Sequence, residues 1–235
     1  MKRIRDIRLF ESNVPNIDEN PLPKSIGKMY QYDDLQCIDV IQRLLFLLRY
    51  RGFGFEDFDH LYLNFTPCLP HNMVQESRRS KFSEEPWYRY VDVGCDPECF
   101  NLWSLPEQTA FILETVKKAV ILKAPETLCR TFADTFDEVL QKGADLLIPY
   151  RKKADAELTV EIFVRINDEP DFLPVIRVSD KNGTLKTEQH LRAYGREEFI
   201  SQISTITIGK SYVRIAPRKN WYTDFHDLKP IRVAW

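Results

Sequence analysis

Long hydrophobic runs are missing from this chain. The longest, Leu44 to Leu48, falls far short of the ~20 residues that a bilayer-spanning helix needs, so no membrane partner is expected. Glycine is scarce, with 8 in 235 residues, and no Gly-rich phosphate loop is present. Neither charge sign dominates: 33 Lys and Arg stand against 35 Asp and Glu, a formal net charge of -2. That balance argues against bulk attraction to nucleic acid or anionic lipid. Cysteine is sparse and odd in number, five in all, which excludes a dense disulfide framework and fits reduced thiols. The N-terminal segment Met1-Lys-Arg-Ile-Arg-Asp-Ile-Arg lacks the continuous apolar stretch of a signal peptide, so the expected location is the cytoplasm. Neither His-Glu-x-x-His nor Gly-x-Ser-x-Gly occurs, and no constellation of residues proposes an enzyme.

What is abundant is aromatic: 15 Phe, 10 Tyr and 4 Trp in a chain long enough for one large domain or two small ones. Lys2 to Phe10 reads as a short, arginine-studded strand at a sheet edge. Ser12 to Lys28, with three prolines, reads as loop. Asp33 or Asp34 can cap a core helix over 34–51 that stops at Gly52. Its apolar positions cover most of the circumference and leave only the Gln36, Asp39 and Arg43 strip polar, the pattern of a buried helix. Strands are expected over Phe58–Thr66 and Tyr88–Val93. Ser104-Leu-Pro-Glu107 is a capping box, and a helix pair is expected over 105–147, broken at Pro125. After a compositional change at Arg151-Lys-Lys153, Leu158 to Ile166 alternates cleanly, Asn182-Gly183 signals a hairpin and Gly209-Lys210 a second one. The aromatic tail from Pro217 to Trp235 is expected to pack back on the body. The fold class is therefore α+β. A mixed α/β part over 1–150 has three long helices on a sheet, and a mainly antiparallel β part follows over 151–235, as two subdomains or as one continuous domain.

Function-bearing residue types cluster between Cys68 and Cys99. Cys68-x-x-His71 and Cys95-x-x-x-Cys99 are two pairs whose spacing would let four ligands reach one tetrahedral zinc, the cofactor alternative for this chain. Buried thiols that need no metal explain the same residues. A catalytic Cys95 or Cys99 with His60 or His71 as base is opposed by Asp96 and Glu98, whose charges disfavour a thiolate. The carboxylates Asp92, Glu161 and Asp180 do not form a nuclease pattern. Arg214, Arg218, Lys219, Trp221 and Tyr222 interleave cations with aromatics as a nucleic-acid surface does, on too short a stretch to outweigh the overall charge.

The loop from His71 to Pro86 and the pair that follows it supply Arg78, Arg79, Glu84, Glu85, Trp87 and Tyr88, residue types common at interface hot spots. The expectation is a protein-binding protein without a small-molecule cofactor. One concrete form is an immunity protein that neutralises a cognate toxin by covering its active site. The zinc-containing alternative comes second and a nucleic-acid accessory protein third.

Overall fold

The structure is a computed structural model that describes residues 1–15, 17, 21–32, 35–79, 87–167 and 171–235. The fold is α+β, with helices and several separate sheets. It divides into two compact units, Met1–Gln141 and Lys142–Trp235.

Unit 1 runs β1 (Lys2–Arg3), β2 (Asp6–Glu11), β3 (Lys24–Ser25), α1 (Leu35–Tyr50), β4 (Gly54–Phe55), β5 (His60–Thr66), β6 (Val74–Glu76), β7 (Tyr88–Gly94), α2 (Pro97–Leu102), α3 (Leu105–Lys123) and α4 (Glu126–Lys142, whose last residue opens unit 2). Its five-stranded sheet has the order β3-β2-β5-β7-β6, in which β2, β5 and β7 are mutually parallel and the short outer strands antiparallel. The arginine-studded strand β2 therefore lies between two neighbours and not at an edge. Parallel strands are covered on both faces, and here each face has its own chemistry. Leu61, Leu63, Phe65, Val91 and Val93 are fully buried on one. Tyr62, Tyr88 and Tyr90 cluster on the other, with Phe10 packed against them.

Helix α1 is buried as its pattern requires, but Asp39 and Arg43 of its polar strip are turned inward. Asp39 and Arg43 are each 2% exposed while Ile38 is 47% exposed. A helix apolar nearly all round carries no periodic signal to rank its faces, so its neighbours choose the outward one. In α4, Phe132, Phe136 and Val139 face inward, and Phe132 meets Phe53 at 5.8 Å between ring centres. The helix ends at Lys142, short of the expected Leu147, because Gly143 takes a left-handed backbone (φ 51°) and breaks the hydrogen-bond ladder.

Unit 2 holds β8 (Ile148–Ala154), β9 (Leu158–Ile166), β10 (Phe172–Asp180), β11 (Leu185–His190), α5 (Arg196–Gln202), β12 (Thr205–Ile208), β13 (Tyr212–Ala216), α6 (Trp221–Phe225) and β14 (Ile231–Ala234). β8 to β11 form an antiparallel meander, and β12, β13 and β14 form a second antiparallel sheet. β9 buries every second residue, Leu158, Val160, Ile162, Val164 and Ile166, as its alternation dictates. The turn at Asn182-Gly183 is held by Asp180, whose Oδ1 accepts the N–H groups of Asn182 and Thr184, each at 2.9 Å. The compositional change at Arg151-Lys-Lys153 falls inside β8. Phe199 of α5 stacks on Phe172 at 5.3 Å and anchors the helix to the meander. The tail does not bury its aromatics: Trp221 and Phe225 are 73% and 70% exposed. Among the described residues, no helix is long and apolar enough to cross a membrane.

Candidate functional site

In sheets with parallel strands, binding surfaces form in the loops beyond the carboxyl ends of those strands. Here these are the loops after β5 and β7, which between them contain Cys68, His71, Cys95 and Cys99. The two loops are stitched together through the backbone. Asn72 N–H donates to Gly94 O (2.8 Å), Gly94 N–H to Met73 O (2.8 Å) and Cys95 N–H to Thr66 O (3.0 Å). A Cβ at Gly94 would stand 1.9 Å from the Pro70 carbonyl oxygen, so only glycine permits this approach.

The chain then enters α2, a helix that the strand and helix patterns of the sequence did not mark. Its signal is local and legible: Asp96 accepts the Glu98 N–H (2.9 Å) as the cap, and Pro97 sits in the first turn. Phe100 is fully buried against Tyr30 (5.5 Å) and anchors α2 to the body. Immediately afterwards the capping box closes, with Ser104 N–H and Oγ–H both donating to Glu107 (2.8 and 2.7 Å). These bonds hold the Glu107 carboxyl below its usual range.

Between the two helices the chain turns its apolar side chains outward. Leu102 is 87% exposed, Leu105 47% and Met73 of the preceding loop 42%. Behind them lies a three-ring floor: His71 stacks on Phe111 (5.3 Å, 14°), Trp103 meets His71 at 5.7 Å and Phe111 at 5.2 Å. The exposed carboxylates Asp96, Glu98 and Glu107 share these loops. The result is a rigid crest with apolar side chains among acidic ones. Sequence reasoning passed over Leu102 and Trp103 because it placed no helix over Pro97–Leu102 and so had no helix end from which to display them.

The four expected zinc ligands do not act together. Among the described residues, no group of three or more His, Cys, Asp or Glu side chains could hold a metal ion. Cys68 and Cys99 are exposed, Cys95 is buried with its thiol toward Asp96 O (3.7 Å), and the His71 ring belongs to the Phe111 stack. Nor is Cys95 a ready nucleophile. Burial first, and then the Asp96 charge, push its pKa up to about 12. At pH 8 such a thiol is ionised to roughly 1 part in 10,000, against about a quarter for an ordinary cysteine. Brief alkylation at pH 8 should therefore modify Cys68 and Cys99 and spare Cys95 and Cys37 until the protein is unfolded. Peptide mass spectrometry reads the order, and early labelling of Cys95 would contradict it.

The residues expected to contact a partner are split by the fold. Arg78 is exposed, and Trp87 is 36% exposed, edge-on to His60 (4.7 Å). Tyr88 is buried in the tyrosine cluster. Glu84 and Glu85 lie outside the described residues. Arg79 is a correction: it is buried at 2% exposure, and its guanidinium is used internally. Nη1 pairs with Asp92 Oδ1 (3.1 Å), the oxygen that also accepts from Asn64 Nδ2 (2.6 Å). Nη2 donates to Val14 O (2.7 Å), Pro15 O (2.9 Å) and Ser12 Oγ (3.3 Å). A surface role was assigned from residue type alone, and residue type does not reveal a buried counter-charge 13 positions away. Burial raises the Asp92 pKa, while the Asn64 hydrogen bond and the Arg79 charge oppose the rise.

The remaining carboxylates are likewise occupied, Glu161 by Lys152 (3.0 Å) and Asp180 by its turn. His60 Nδ1 bonds Asp59 (2.5 Å), which also pairs with Arg5 (3.2 Å). No protein-family model matches the chain, and no curated protein or solved structure gives a match.

Proposed function

We propose that this chain is a non-catalytic protein-binding module of the immunity type, which neutralises a toxin in the cytoplasm by covering its active site. The observation that carries the reading is Leu102, 87% exposed at the end of α2. Exposed apolar groups held on rigid elements and rimmed by polar ones mark interaction sites. Trp103 and His71 beside it add the aromatic anchors that dominate interface energetics. Unit 1 up to Gln141 has 17 Lys and Arg against 22 Asp and Glu, a net of -5, so charge complementarity favours a basic partner.

The test is affinity capture from the native host with the wild type and Leu102→Glu in parallel, followed by co-expression of the captured protein with each form. A charge at the centre of a desolvated contact should weaken binding by about 30-fold or more. The wild type should capture a protein that Leu102→Glu loses and that Arg78→Ala retains, and should relieve that protein's toxicity. Identical capture by the wild type and Leu102→Glu would refute the crest as the contact surface. A captured protein without toxicity would refute the immunity form of the reading.

A further inference from the structure

The net charge of the whole chain conceals a division. Unit 2 has 16 Lys and Arg against 13 Asp and Glu, a net of +3, opposite in sign to unit 1. Much of this excess gathers at two adjoining cavities that share Ser204 and Thr205. The larger, about 590 Å³, is lined by Arg214, Arg218, Lys219 and Thr223, with Asp224 the one carboxylate in its wall. The smaller, about 480 Å³, is lined by Arg151, Lys152 and Lys153 of β8.

The cations of this trough are placed without being neutralised. Among the described residues, none of Arg214, Arg218 and Lys219 pairs with a carboxylate. Arg151 Nε and Lys153 Nζ donate to the backbone carbonyls of Ile203 (3.0 Å) and Ile206 (2.8 Å), contacts that fix the heads and leave their charge in place. Lys152 alone meets a carboxylate, Glu161. Thr223, 9% exposed, is fixed in the cavity wall by its amide, which donates to Asn220 Oδ1 (2.9 Å). The wall is firm, because Arg218 N–H donates to Ser201 O (2.7 Å) and Gln202 Nε2 to Lys229 O (2.8 Å).

Helix α6, whose Thr223 and Asp224 line the larger cavity, carries an aromatic step on its outer face. Trp221 and Phe225, one helical turn apart on α6, stack on each other (5.2 Å, 21°) while remaining more than two-thirds exposed. The mutual stack pre-orders both rings and leaves their outer faces open. Cations left without carboxylate partners and a stacking platform on the same unit are the two halves of a single-stranded nucleic-acid site, whereas a simple polyanion has no use for the rings. We propose that unit 2 binds single-stranded nucleic acid. Its phosphates lie along the Arg151–Lys153 and Arg214–Lys219 walls, and a base stacks on the Trp221–Phe225 step. The site shares no residue with the crest of unit 1.

The experiment is a binding titration of the full chain with fluorescent 12-nucleotide oligo(dT), with the matching duplex and with inorganic polyphosphate as competitors, across a range of salt. Oligo(dT) should bind, with log K falling against log salt; Arg218→Ala with Lys219→Ala should flatten that slope by about 0.7 per lost phosphate contact. Trp221→Ala should weaken oligo(dT) by about 5- to 100-fold, the equivalent of one lost base stack, and leave polyphosphate unaffected. Trp221→Phe, which keeps a ring, should recover most of the affinity and so excludes misfolding as the cause. Failure to bind oligo(dT), or equal competition by polyphosphate with no effect of Trp221→Ala, would overturn the proposal. Duplex competing as well as the single strand would overturn it too. Leu102→Glu should leave this binding unchanged.

Discussion

Arg79→Ala should destabilise unit 1 by about 3–5 kcal/mol, the range for breaking a buried ion pair by removing one partner. The loss has two sources. Asp92, fully buried, keeps only the neutral donors Asn64 and Ser77. The carbonyls of Val14 and Pro15 lose the cation that ties the chain after β2 to the strand β7. Urea unfolding followed by tryptophan fluorescence measures the effect, and exposed Arg78→Ala, expected within about 0.5 kcal/mol of wild type, is the control. Replacing both members, Arg79→Met with Asp92→Leu, should cost less than Arg79→Ala alone, because no charge is then stranded. A single substitution costing under about 1 kcal/mol would show that the pair is not desolvated as described. The sign of the pH response also follows. The Asp92 pKa is raised by burial, so its folded form holds a proton more tightly than the unfolded chain does. Its contribution to stability is therefore greatest below the unfolded pKa and declines as pH rises through the folded one. Loss of stability in acid must come instead from groups whose pKa is lowered, such as Asp155, Asp180 and Glu188.

Glu11→Ala should be nearly as damaging, at about 2–4 kcal/mol. The Glu11 carboxylate, only 6% exposed at the end of β2, accepts four consecutive backbone N–H groups: Gly27 at 3.3 Å, Lys28 at 3.2 Å, Met29 at 3.0 Å and Tyr30 at 3.1 Å. Convergent amides of this kind form an anion nest, and here a side chain of the same molecule fills it. Without the carboxylate, water can reach the exposed part of the loop but not the Tyr30 amide, whose residue is fully buried. Tyr30 in turn donates its hydroxyl to Cys95 O (2.6 Å), so the cage also supports the crest. The variant should thus show faster amide exchange at Gly27 to Tyr30 and faster alkylation of Cys95, besides its lower stability. Glu11→Gln, which keeps one acceptor oxygen but turns an NH₂ toward the donors, should fall between the two. Unchanged amide exchange in Glu11→Ala would refute the cage as the element that orders the loop.

The sequence was most readable where one local rule decides the outcome. The alternation in β9, the capping box at Ser104 and the Asn182-Gly183 turn each appear where their residues put them. It was least readable where the outcome depends on partners far along the chain. Asp39 and Arg43 look like a solvent strip and face inward, and Arg79 looks like a surface cation and is sealed against Asp92. The aromatic tail was expected inside because aromatic rings gain most from burial, yet Trp221 and Phe225 satisfy part of that gain by stacking on each other. For the crest, the stretch was legible and the roles were not. Cysteine and histidine drew attention by type, while Leu102, displayed by a short helix over the Trp103 ring, carries the exposed surface.

The close approach of Gly94 to Pro70 separates what holds the crest from what the crest presents. The stitching is done by backbone atoms and one obligatory glycine, whereas Met73, Leu102 and Leu105 stand outside the packing. A lineage of such proteins could exchange those three side chains in a few mutational steps and leave the architecture beneath untouched. Recognition of a rapidly changing counterpart would then evolve almost independently of folding, with Gly94 as the position that cannot drift.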